Sequence, residues 1–265
     1  MLKENYYIKA ISHKKAIDIV VAYHYLQREA PCSFAFGLFE QKTDILKGVV
    51  IYGTPSSPTL REGICGEEEK FNVIELTRLW ISDDVPKNGE SFLVGNTLKL
   101  LDKEIVVSFA EIQQGHVGAI YQATNWIYTG LSAKRGSWTV EGMDKHCQTI
   151  ADQYSAKTLR RLYGDRFKTI DRPRKHRYIH FNCAKLKKRE RIIREKELLK
   201  KLKYPILPYP KLTDEERQLA KAKRQMHVIG TSQSKTESVD YWLSDEEEIQ
   251  EEEIQEDVTD LDSWL

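Results

Sequence analysis

The chain has few cysteines and none of them paired. Its 265 residues include four, Cys32, Cys65, Cys147 and Cys183, and no two stand in a C-x-x-C arrangement. Neither a disulfide framework nor a zinc knuckle is suggested by that spacing, and reduced thiols are expected. Cys147 lies beside His146 in DKHCQT, but neighbours in an extended segment face opposite ways, so a Cys-His nucleophile is not expected. Long hydrophobic runs are also missing. Nothing approaches the roughly 18 apolar residues that span a bilayer, and no basic-plus-apolar leader opens the sequence. A soluble, cytoplasmic protein is the expectation. Positive charge is absent from one end only: residues 237–265 hold thirteen acids and no Lys or Arg. So much like charge with so little apolar content does not fold alone, and 231–265 reads as a disordered acidic tail.

What is present elsewhere is basic. The net charge of +1 is an average, because removing the thirteen tail acids leaves +14 on residues 1–236. Residues 185–203 carry ten basic and three acidic residues, and 160–177 carry eight and two. Between and within these runs, RPRKHRYIHF interleaves Tyr178 and Phe181 with Arg and His. A polyanion is the natural partner for such a surface, with nucleic acid favoured by the interleaved aromatics. Arg172, Arg174, Lys175, Arg177, Lys187, Lys188 and Arg191 are the candidate contacts.

Hydrophobic periodicity orders the elements. YYIKAI reads as a strand and HKKAIDIVVAYHYL as a helix capped by Ser12. SFAFGLFEQ and ILKGVVIYGTP form a hairpin across QKTD, and TPSSPTLREGICG reads as a surface loop. Then follow the strand VIELTRLWI, the turn PKNGES, the helix FLVGNTLKLL, the strand EIVVSFAE, a helix near YQATN and a strand near WIYTGL. A long irregular stretch to about residue 152, the helix SAKTLRRLYG and the strand HRYIHFN complete about seven strands and four helices. The expected class is α+β, an α/β sandwich with a mixed central sheet. Residues 1–183 form its catalytic core, 184–230 a basic helical extension and 231–265 the tail.

Residues 73–130 concentrate the candidates for chemistry. Arg78, Glu111 and Tyr121 are costly to bury, yet each falls at or beside the end of an apolar element. In the turn before FLVGNTLKLL, Asn88, Gly89 and Ser91 could present backbone N–H groups and a helix dipole to a phosphate, with Gly89 allowing close approach. The alternative is a simple helix cap at Asn88 or Ser91. Asp83 and Asp84 read as turn residues.

The element order resembles the GNAT acyl-CoA-dependent acyltransferases, whose fourth strand, following turn and next helix hold the cofactor pyrophosphate; their usual R/Q-x-x-G-x-G/A is absent here. YHYLQR, AFGLFE, CGEE, ELTRLWISDD, NGESFLVG, the block QGHVG-x-x-YQATN-x-IYTGLS and DRPRKHRYIHF resemble the Mom-type proteins of bacteriophages across about residues 14–210. That resemblance implies a GNAT-like enzyme that converts adenine in phage DNA to its N6-carbamoylmethyl form, protecting the DNA from host restriction endonucleases. It further implies a catalytic pair at His24 and Tyr25, further catalytic residues at Arg78, Ser91 and Tyr121, acetyl-CoA as cofactor at Asn88, Gly89 and Ser91, and iron held by Tyr25 and Glu111. Glu111 stands where the family pattern has the shorter Asp. The partner is then double-stranded DNA with the target adenine flipped out of the stack, against Trp126, Trp80 or Tyr25, with a homodimer left open. An ordinary CoA-dependent N-acyltransferase and a non-catalytic nucleic-acid-binding protein are the alternative readings.

Overall fold

The computed structural model describes residues 2–112, 115–142, 154–213 and 218. All of them lie in one unit, residues 1–225, and the acidic tail and the DKHCQT segment fall outside the described residues. The expected α+β class is the one adopted: a mixed seven-stranded sheet flanked by helices. A short α1 (Leu2–Asn5) leads into β1 (Tyr6–Ala10), and Ser12 caps α2 (His13–Tyr23) by accepting the Lys15 N–H. The hairpin of β2 (Phe34–Glu40) and β3 (Leu46–Gly53) follows, then α3 (Pro58–Cys65) and β4 (Val73–Ile81). Next come α4 (Gly89–Thr97), β5 (Ile105–Glu111), α5 (Ala119–Ala123) and β6 (Ile127–Leu131). The last elements are β7 (Arg135–Val140), α6 (Ala156–Tyr163), β8 (Phe167–Arg172), β9 (Lys175–Phe181) and α7 (Lys188–Lys201).

Strand order in the sheet is β1-β2-β3-β4-β5-β9-β6, with β4 and β5 the parallel pair and the other neighbours antiparallel. The apolar run of β5 is explained by burial on both faces. Val106 and Ala110 face a core shared with Leu93 and Val94 of α4 and Tyr121 of α5; Ile105 and Val107 face Ile64 of α3 and Leu198 of α7. A further core places Ala16 and Val20 of α2 on Val49 and Ile51 of β3.

Two expectations are corrected. The TPSSPTLREGICG loop contains α3, because Pro58 occupies the first helical turn, where its missing N–H costs nothing, and Gly66 ends the helix at φ 106°. The irregular stretch contains β7, which pairs with β8 as a two-stranded ribbon apart from the main sheet, with its own small core of Val140, Leu159 and Phe167. The basic helix of the expected extension, α7, packs on the rest of the chain. Leu198 is wholly buried on the Ile64 core, Arg194 pairs with Glu69 at 2.7 Å and Glu104 at 2.8 Å, and Lys201 pairs with Glu69 at 2.9 Å. These partners hold the Glu69 carboxyl down at about 2 despite the cost of its own burial.

Leu198→Ala should therefore lower unfolding stability by about 2–5 kcal/mol in urea titrations, as cavity-forming changes do. Lys196→Ala on the exposed side of the same helix should stay within about 0.5 kcal/mol.

Candidate active site

The site is organised by the way β4 and β5 part. They pair only from Val73 to Glu75 against Ile105 to Val107, although β4 runs on to Ile81 and β5 to Glu111. On its other edge β5 stays paired with β9 throughout. Just beyond the last pair, the Ser108 hydroxyl spans the gap, 2.9 Å from the Leu76 carbonyl oxygen and 2.8 Å from the Tyr121 hydroxyl. A second irregularity sits at Thr77, where the register with β3 slips: Leu76 is opposite Tyr52, whereas Arg78 is opposite Ile51. The bulge turns Arg78 onto the face that carries Glu75, an arrangement strict alternation would forbid.

Onto this frame the segment after α2 is laid. His24 caps α2, its backbone N–H returning to the Val20 carbonyl. Its ring is buried and stacks on Tyr25 at 4.3 Å, and His116 meets Tyr25 edge-on at 5.8 Å. The Tyr25 hydroxyl donates to Glu111 Oε2 at 3.4 Å, and Lys175, opposite Glu111 in the ladder, reaches the same oxygen at 3.4 Å. Arg78 clamps the segment from below. Its Nε donates to the Arg28 carbonyl (3.3 Å), Nη2 to the Glu29 carbonyl (3.0 Å) and Nη1 to the Thr77 carbonyl (2.7 Å). No ion pair of Arg78 with Glu75 or Asp83 is made; the guanidinium holds backbone instead.

Protonation follows from burial. His24 is lowered to about 4 by desolvation first, then by Arg78 and His116, so it is neutral near pH 7. Its Nδ1 accepts the Leu26 N–H at 3.1 Å, which leaves the proton on Nε2 and makes the ring a donor rather than a base. The Tyr25 phenol is raised well above its ordinary value by burial and then by Glu111 and Tyr121, so it stays protonated. Tyr121, on α5, is pushed up to about 12 by burial and packs between Trp126 and Tyr178. The helix comes this close because Gly118 precedes it at φ 77°; a Cβ there would sit 2.3 Å from the Tyr178 ring. Glu75 is raised to about 7, burial outweighing the opposing pull of Lys175 and Arg78.

The structure thus gathers His24, Tyr25, Arg78, Glu111 and Tyr121, and adds Glu75, Ser108, His116 and Lys175. Ser91 is placed apart, in the first turn of α4, its hydroxyl donating to the Asn88 carbonyl at 3.0 Å. Asn88 adopts the left-handed conformation at φ 73°, and a Cβ on Gly89 would meet Val85 at 2.5 Å. No side chain caps α4, so the turn keeps backbone donors for an anion. Those features fit a phosphate-bearing cofactor; the neighbouring Glu90 works against it.

The residues do not fit iron. The Tyr25 phenol and the Lys175 ammonium both engage the Glu111 oxygen a metal would need. Among the described residues no three His, Cys, Asp or Glu side chains are grouped as a metal would require. The stacking candidates also separate. Trp126 is fully buried and unavailable, Trp80 packs on Tyr23 at 5.1 Å, and Tyr25 is 37% exposed.

The nucleic-acid candidates divide as well. Arg177 is buried, donating to Thr129 Oγ1 at 2.8 Å and lying 3.4 Å over the Tyr204 ring, so it is a core residue and not a phosphate contact. Arg174 donates to the Ser132 carbonyl at 2.6 Å, fixing the ribbon root. Arg172 is exposed on the ribbon and Lys175 faces the site. Lys187, Lys188 and Arg191 begin α7, beyond the far end of β9, about 20 Å away along a seven-residue strand.

Replacing His24 tests its neutral burial. Its folded-state value lies below the free one, so the unfolded chain binds the extra proton and stability falls as pH drops from 6.5 toward 4. His24→Gln should flatten that decline by roughly 1–3 kcal/mol in denaturant midpoints between pH 6.5 and 4.

Comparison with known proteins adds three findings. Methylcarbamoylase mom of Escherichia phage Mu is 31% identical over 129 residues, 46% of this chain and 53% of that protein, so the chain spans about half the length of this curated relative. Solved structures of similar shape include the ribosomal-protein-S5-alanine acetyltransferase of Vibrio fischeri (TM-score 0.39, 9% identity, covering 68% of this chain and 94% of that one). They also include a Bacillus subtilis acetyltransferase in complex with CoA (TM-score 0.36, 12% identity, 67% and 97%). The profile of the Mom protein family matches residues 5–211, and the chain belongs to that family.

Proposed function

We propose that the chain is a transferase that modifies adenine N6 in DNA to the carbamoylmethyl form, with acetyl-CoA as donor, and so shields DNA from restriction endonucleases. The observation that carries this reading is the convergence of Tyr25, Arg78, Glu111 and Tyr121 where β4 and β5 separate, since titratable groups withdrawn together from water, from the buried Tyr121 to the partly exposed Tyr25, mark sites of chemistry. Membership of the Mom family and the phage Mu relative support the substrate and the product.

Each side chain has a defined task in that reading. The backbone N–H groups of Glu90 and Ser91 would hold the pyrophosphate of acetyl-CoA, which supplies the two-carbon unit; the Gly89 N–H is given to the Pro86 carbonyl. The Nε2–H of His24 donates to an oxygen of the transferred group, while the single Tyr25 hydroxyl hydrogen goes to Glu111 and leaves the phenol oxygen as an acceptor. Arg78 keeps the segment that bears them against β4. The exposed bases of the ribbon face the phosphodiester backbone. Forming an N6–CH2 bond from an acetyl group also takes a hydrogen and two electrons from the methyl carbon, so the reaction requires a two-electron oxidant as co-reactant, and the amide requires an ammonia-level nitrogen donor.

The test is nucleoside mass analysis of DNA from bacteria expressing the full chain. A heavier deoxyadenosine is expected, together with loss of cutting at adenine-containing restriction sites. Tyr25→Phe should lower the modified fraction by about a hundredfold, and Arg78→Lys, which cannot reach three carbonyls at once, should do so comparably. Unmodified adenosine with well-expressed protein refutes the reading.

A further inference from the structure

On the side of the sheet that carries Glu75, a cleft of about 430 Å³ opens between the start of α3 and the root of the β7–β8 ribbon, a size ordinary for small-ligand sites. Its apolar wall is Leu60, Phe109 and Tyr204; its rim carries Arg135 and Arg172, which stand opposite one another in the ribbon. Glu75 and Lys175 lie where this cleft meets the cluster around Tyr25. One wall for stacking, two guanidinium groups at the mouth and one carboxyl inside is the equipment for a base with its flanking phosphates.

A proton must also leave the exocyclic amine when it is substituted, and the gathered groups differ in their capacity to receive it. His24 already carries its proton on the free nitrogen, Tyr25 is a donor to Glu111, and Glu111 is held by Tyr25 and Lys175. Glu75 is different. Among the described residues its carboxyl makes no hydrogen bond and no ion pair, and it lines the cleft.

Resting on the proposed adenine chemistry, we infer that this cleft receives the extruded purine and that Glu75 is the group that binds its exocyclic amine and accepts the proton. In that step the N6–H bond breaks, the proton passes to a Glu75 oxygen and the electron pair stays on N6, a proton transfer with no change of oxidation state. A pKa near 7 suits such a base. Arg135 and Arg172 hold the phosphates on either side.

The probe is a thymidine oligonucleotide with one central deoxyadenosine, compared with the same strand bearing an abasic site. The full chain should bind the first about tenfold more tightly, the range expected for one stacked base. Leu60→Trp, which fills the cleft, should erase that difference while keeping the affinity common to both strands. Glu75→Gln should bind the adenine strand within about threefold of wild type yet lose nucleoside modification by about a hundredfold or more, with Glu75→Asp recovering part. Thermal unfolding confirms that each variant is folded. Modification that survives both Leu60→Trp and Glu75→Gln overturns the inference while leaving the enzymatic reading intact. Purine-dependent binding by the wild type without any modified nucleoside overturns that reading and leaves the cleft standing.

Discussion

The parting of β4 from β5 after three paired residues is the constraint on which the rest of the site depends. A parallel pair continued to Ile81 and Glu111 would fill the space between these strands with ladder hydrogen bonds and leave no room for a reacting group. Instead the carbonyl of Leu76 is satisfied by a side chain, Ser108, which also holds the Tyr121 hydroxyl. A backbone acceptor left bare at this depth would cost about 1–3 kcal/mol, so the serine stabilises the opening that it spans. β5 can diverge on this edge because its other edge is fully laddered to β9. The slip at Thr77 completes the geometry by moving Arg78 to the side where the segment after α2 can be clamped.

Within the opening, burial sorts the ionisable groups by charge. Desolvation keeps His24 and Tyr25 neutral, one as an Nε2–H donor and the other as an O–H donor. The charge that remains is arranged so that Glu111 sits between a phenol and an ammonium. Such a carboxylate is a poor metal ligand and a poor base, because both roles need an oxygen that is already engaged. The same reasoning separates Glu75 from Glu111, although both lie on one face of adjacent strands. The first has desolvation without a partner, and the second has partners. Two carboxyls with environments this different are suited to different tasks.

Much of the fold was legible because its elements announce themselves. The two-sided burial of IVVSFAE, the hairpin across QKTD and the amphipathic α2 all follow from period and turn chemistry. The α3 helix was missed because Pro, Ser and Gly were read as loop formers, whereas in the order Ser57, Pro58 and Gly66 they mark a helix start and stop. Of the site, His24, Tyr25, Arg78, Glu111 and Tyr121 were named from the resemblance, but how they meet was out of reach. A bulge at Thr77 leaves no mark in VIELTRLWI, and the parting of two strands is set by packing far from either in sequence. Glu75 is equally silent in the sequence, since nothing in the letters shows that Arg78 turns to backbone carbonyls and leaves it without an ion pair among the described residues.

The basic residues illustrate the same limit in a way that bears on recognition. Counted along the chain, α7 is the strongest cationic element, yet its Arg194 and Lys201 pair with Glu69 and Glu104 of the body. Arg177 is drawn inward in the same way and lies over the Tyr204 ring. On the ribbon, by contrast, only Phe167 is buried along β8, and Arg172 is exposed. Its root is fixed by Arg174 on the Ser132 carbonyl, so the exposed bases are carried on a rigid mount beside Glu75 and Lys175. A two-stranded ribbon is narrow enough to lie in a DNA groove. Arg172 is thus exposed beside the cluster, whereas Arg194 and Lys201 of α7 are committed to carboxylates of the body.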